Sequence, residues 1–142
     1  MSNFVWGKKG DETFQEYRDR AINTISPSFC GAKWYNATIW LNMGQTTSCH
    51  HPPPHKIPLR ELERSPKALH NTQYKKLVRK EMLEGQRPTE CDYCWNIEDN
   101  SSSYSDRIYK SAEPWSEPFF DEISKSDWRD DYNPKYSEVS FS

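Results

Sequence analysis

Residues Phe29 to Cys49 read FCGAKWYNATIWLNMGQTTSC, with cysteines near both ends and Gly44 between two β-prone runs. Trp34, Tyr35, Thr38, Ile39 and Trp40 supply aromatic and β-branched side chains before the glycine, and Thr46 and Thr47 follow it. Such runs around a glycine predict a β-hairpin. A hairpin returns the chain on itself, so Cys49 is expected close to Cys30 in space.

Beyond this stretch, His50 to Pro58 contains Pro52-Pro53-Pro54 and Pro58, which excludes a helix and predicts an extended, polyproline-like connector. Pro58 is placed to start a helix ahead of Leu59 and Leu62, and Ser65-Pro66 repeats the signal before Ala68 and Leu69. A longer helix is expected after an Asn71 or Thr72 cap. Tyr74, Leu77, Val78 and Met82 would form one face and Lys75, Lys76, Arg79 and Lys80 the other. Gly85 ends that helix and Pro88 prevents its resumption. Cys91-Asp-Tyr-Cys94-Trp95 comes next, then a Ser-rich stretch over 100–105 that reads as a loop.

The flanks are less patterned. Residues 1–28 are polar, with one short helix expected around Phe14, Tyr17 and Ile22. From Ala112 to Asn133 the chain is acidic and aromatic, which predicts irregular structure or a short helix. Tyr136 to Ser142 alternates apolar and polar residues as a strand does, with no obvious strand partner upstream.

The chain has 142 residues, four of them cysteine, and a net charge of −2. Six Trp, eight Tyr and six Phe dominate its apolar quota, and aliphatic residues are scarce. A small domain with so little aliphatic material commonly relies on a covalent or metal staple. Cations predominate from Lys56 to Pro88 and acids from Glu98 to Asp131. No apolar run is long enough for a signal peptide or a membrane span. The expected location is therefore the cytoplasm, where cysteines serve as metal ligands or redox thiols more often than as disulfides.

Cys91-x2-Cys94 has the spacing of a metal-binding knuckle, and Cys30 and Cys49 complete a set of four thiols. The second pair is not another C-x2-C, which argues against a simple zinc ribbon. A c-type haem site needs His after the second cysteine, where Trp95 stands. A tetrathiolate site suits both zinc and an iron–sulfur cluster, and spacing alone does not separate them. His50, His51 and His55 could add a ligand but read as loop histidines. Trp34, Trp40 and Trp95 read as core. No nucleophile–base pair, Gly-rich phosphate loop or carboxylate constellation is present in the sequence.

These residues resemble a known family. Cys30-x13-Gly44-x4-Cys49, followed by a helix and Cys91-x2-Cys94, resembles the SPASM/twitch auxiliary-cluster domains of radical SAM enzymes. The segments Leu69-His70-Asn71-Thr72, Met82-Leu83-Glu84-Gly85 and Pro88 to Trp95 resemble the subgroup in which this domain precedes the catalytic barrel. The likeness covers about Phe29 to Arg107. It implies an α+β fold: a small twitch-like domain with a β-hairpin followed by helices around a metal cluster, between irregular amino- and carboxy-terminal segments. It also implies a [4Fe–4S] cofactor held by Cys30, Cys49, Cys91 and Cys94. One departure is Lys33, where relatives often have Pro.

A larger departure is the missing C-x3-C-x2-C loop that binds S-adenosylmethionine in the catalytic barrel. The expected organisation is therefore a polar segment over 1–28, the cluster domain over 29–107, an acidic linker over 108–135, and over 136–142 the first strand of a barrel carried elsewhere. On that reading the chain is the auxiliary part of a truncated or split enzyme, not catalytic alone. Its partner is the barrel in the same or a companion chain, and S-adenosylmethionine binds only there. Nucleic acid and membrane are not the expected partners. The competing expectation is a zinc-binding four-cysteine module that contacts nucleic acid or an acidic protein through its basic helix.

Overall fold

A computed structural model describes residues 7–49, 51–101, 103–112, 117–125, 127, 129 and 138–141. The fold is α+β. Helix α1 (Phe14–Tyr17) opens with a capping box: Thr13 Oγ1 accepts from the Glu16 N–H, and the Glu16 carboxylate accepts from the Thr13 N–H. It runs directly into a π-helical turn (Arg18–Ile22), where the Asn23 N–H reaches the Arg18 carbonyl. Tyr17 and Ile22 are thereby buried, as expected for the short helix placed there.

Strand β1 (Asn36–Trp40) and strand β2 (Gln45–Thr47) form the expected antiparallel hairpin, with Thr38 opposite Thr47 and Trp40 opposite Gln45. Gly44 turns the chain with φ of 64°, a left-handed conformation that costs glycine little. The hairpin is shorter than its β-prone composition predicts. Ala32–Tyr35 forms a helical turn, α2, and its four side chains are all buried. Trp34 and Tyr35, read as strand residues, are aromatic anchors of the core, so packing overrides their β-propensity.

The proline-rich connector is also more structured than expected. His55–Lys56 forms a short strand, β3, antiparallel to β2. The Ile57 N–H then bonds the Gly44 carbonyl at 2.8 Å. Among the described residues the sheet has the order β3-β2-β1-β4. Strand β4 (Glu138–Phe141) lies parallel to β1, with Ala37 opposite Val139 and Ile39 opposite Phe141. The terminal strand thus does have a partner, the outer edge of the hairpin. Such long-range parallel pairing leaves no local sequence signal. The remainder of the expected terminal strand, Tyr136, Ser137 and Ser142, lies outside the described residues.

The helical part follows its start and stop signals closely. Pro58 precedes α3 (Leu59–Arg64), and Ser65 caps a 3-10 helix over Pro66–Leu69. Helix α4 (Gln73–Leu83) begins at Thr72, whose Oγ1 accepts from the Lys75 N–H. It ends at Gly85, with φ of 82°, where the Gln86 N–H bonds the Glu81 carbonyl. A 3-10 helix (Thr89–Cys91) leads into α5 (Asp92–Asn100). Helix α6 (Asp106–Ser111) lies where no element was assigned, whereas helix α7 (Phe120–Lys125), beyond a 3-10 helix over Glu117–Phe119, is a short helix of the kind expected between Ala112 and Asn133.

The face assignment of α4 needs correction. Lys75 and Arg79 are buried together with Val78 and Met82, whereas Tyr74 and Leu77 are exposed. Lys75 Nζ donates to the carbonyls of Thr47 and His70. Arg79 Nε donates to the Lys33 carbonyl and its Nη1 to Asn71 Oδ1. These two cations satisfy carbonyl oxygens on neighbouring elements, so they do not form part of a solvated basic stripe. The core itself gathers Tyr17, Ile22, Phe29, Trp34, Met82 and Trp95, and the carboxy-terminal flank enters it through Ile108, Phe120 and Ile123.

Candidate metal centre

Four thiols line one cavity. Cys30 precedes α2, Cys49 follows β2, Cys91 closes the Thr89–Cys91 turn, and Cys94 lies in the first turn of α5. The hairpin brings the first two together, as expected. The turn into α5 brings the second pair to the same place, with the amino-terminal end of the helix dipole beside it. All four cysteines are free; Cys30, Cys91 and Cys94 are buried and Cys49 is half-buried. Ala32, Met82 and Trp95 line the cavity beside the thiols, together with the charged Lys33, Asp106 and Arg107.

Burial pushes the Cys30 and Cys91 thiols up to about 12 and the Cys94 thiol up to about 11. The thiols also act on one another. Cys30 feels Cys49 and Cys94, Cys91 feels Cys30 and Cys49, and Cys94 feels Cys49 and Cys91. Every pair among the four is therefore within electrostatic reach. Among the described residues, however, no group of three or more His, Cys, Asp or Glu is arranged to hold a metal ion.

The supports of the site come from far along the chain. Arg107 Nε donates to the Phe29 carbonyl at 2.6 Å, and the Gly31 N–H donates to Ser111 Oγ at 2.9 Å. Residues on either side of Cys30 are thus held by α6. Arg107 also pairs with Glu98 at 2.8 Å, both side chains being almost wholly buried. Trp95 Nε1 donates to the Pro88 carbonyl at 3.1 Å, bracing the turn that carries Cys91.

Lys33 lines the cavity as well, and its ammonium is paired with Glu90. Burial disfavours that ammonium, but Cys91, Glu90 and Cys49 outweigh it and raise the Lys33 pKa. Tyr74 Oη donates to the other Glu90 oxygen at 2.7 Å.

His51 borders the cavity, stacked on Tyr93 with ring centroids 3.9 Å apart and in contact with Asp106 at 2.5 Å. His55 lies elsewhere, against Thr72 and Tyr74. His50 is outside the described residues. Trp34 and Trp95 are core residues, and Trp40 is half-buried. Sequence reasoning missed Glu90, Glu98, Arg107 and Ser111, whose roles depend on partners distant in the chain. Only the replacement at Lys33 gave a hint.

Among the described residues no helix is long and apolar enough to cross a membrane. No family model, curated protein or solved structure matches the chain.

Proposed function

We propose that this chain is an auxiliary [4Fe–4S]-binding module of the SPASM/twitch kind, serving electron transfer or structural support for a radical SAM barrel in the same or a companion chain. The observation that carries the reading is the convergence of Cys30, Cys49, Cys91 and Cys94 on one cavity. Four thiolates would fill the ligand sites of such a cluster, which favours a redox or structural role over substrate activation. When bound, the cluster would supply one-electron chemistry. S-adenosylmethionine would bind only in the barrel.

One zinc held by the same four thiolates is the alternative reading. One zinc at Zn–S distances of about 2.3 Å draws its thiolates tightly around a point. The burial of Lys75 and Arg79 removes half of the basic face that the zinc reading assigned to nucleic acid or an acidic partner.

Anaerobic purification and reconstitution, with iron, sulfide and zinc analysis, tests the proposal. The expected result is roughly four iron and four sulfide per chain, lost in Cys30→Ser and Cys91→Ser. A colourless protein with one stoichiometric zinc would overturn it.

A further inference from the structure

Burying a lysine is costly unless its charge is compensated. Lys33 is 1 % exposed, yet it sits on the wall of the cysteine cavity rather than at the surface. Its partner Glu90 directly precedes Cys91 in the chain. Glu90 is in turn fixed by Tyr74, which reaches it from an exposed position on α4. A residue-by-residue path therefore runs from the surface to a cationic residue that lines the thiol cavity.

Arg107 also lines the cavity, but its guanidinium is committed to Phe29, Asn23, Pro27 and Glu98. Those contacts make it a clamp between chain segments. The Lys33 ammonium instead meets a single carboxylate, and its charge is the feature that the fold retains at the cavity wall.

Resting on the cluster reading above, we propose that Lys33 is a positioning residue that sets the reduction potential of the four-cysteine centre, with Glu90 moderating its charge. The physical basis is the net charge around the centre, one of the properties that tunes such potentials. Uptake of one electron makes the centre more negative. A fixed cation beside it stabilises the reduced form and raises the potential, and a fixed anion lowers it.

The test is a potentiometric titration of the reconstituted full chain, with dithionite as the one-electron reductant and the reduced state followed by electron paramagnetic resonance. Lys33→Met should shift the midpoint to more negative values, and Lys33→Arg should restore it toward the parent. Glu90→Gln should shift it the opposite way, to more positive values. Opposite signs for the two partners are not expected of a merely structural pair. If Lys33→Met fails to fold, the sign and size of the Glu90→Gln shift still decide. Midpoints unchanged in folded, cluster-loaded variants would overturn this inference while leaving the cluster reading intact. Failure of the parent chain to take up iron and sulfide would overturn both.

Discussion

Arg107 Nε donates to the carbonyl oxygen of Phe29 at 2.6 Å, so that α6 grips the chain one residue ahead of Cys30. The same guanidinium bonds Asn23, Pro27 and Glu98. Replacing it removes the nearer of two guanidinium partners of the buried Glu98 carboxylate and leaves Arg18, at 3.6 Å, beside it.

Arg107→Met is therefore expected to cost about 3 kcal/mol, the lower end of the range for breaking one side of a buried ion pair, because Arg18 stays beside Glu98. Arg107→Lys should recover only part of this, since an ammonium cannot reproduce the fork that serves several acceptors. Urea denaturation measures both. A midpoint for Arg107→Met equal to that of the parent chain would show that the clamp is energetically idle.

Gly44 makes a different prediction, because a Cβ placed there meets nothing within 4 Å. The cost of a side chain is then confined to the backbone at φ of 64°. Gly44→Ala should destabilise by about 1 kcal/mol, Gly44→Asn by less, and Gly44→Val by more. Thermal unfolding gives the order, and a valine variant as stable as the parent would contradict it.

His55 should govern part of the acid response. Burial, then Lys75, lowers its pKa from 6.5 to about 4. Between those values the unfolded chain binds a proton that the folded chain does not. Its contribution to stability is thus fully present above about pH 6.5 and declines as pH falls toward about 4. His55→Gln should flatten this part of the stability profile. An unchanged slope, measured by denaturant titration at several pH values, would assign the acid response to other groups.

Much of the fold could be read locally. The hairpin around Gly44, the helix start at Thr72 and the stop at Gly85 all depend on neighbours within a few residues. The convergence of the thiols was partly readable for the same reason: the hairpin returns Cys49 toward Cys30. Burial of Lys75 and Arg79 was not, because a helical projection assigns cations to solvent and cannot see the carbonyls of Thr47 and Lys33 waiting for them. The turn at Trp34 and the pairing of β4 with β1 were missed because contacts with distant segments decide them.

The thiols of the cavity come from three stretches of chain, and no fragment shorter than residues 30–94 contains them all. During synthesis at about 5–20 residues per second, Cys30 and Cys49 emerge several seconds before Cys91 and Cys94. In that interval the cavity has no second wall, and the first two thiols are open to solvent and oxidants. Helix α5 and the clamp from α6 close over them only afterwards. The vulnerable moment for these cysteines is therefore the nascent chain, and protection is acquired last, when the final helices have formed.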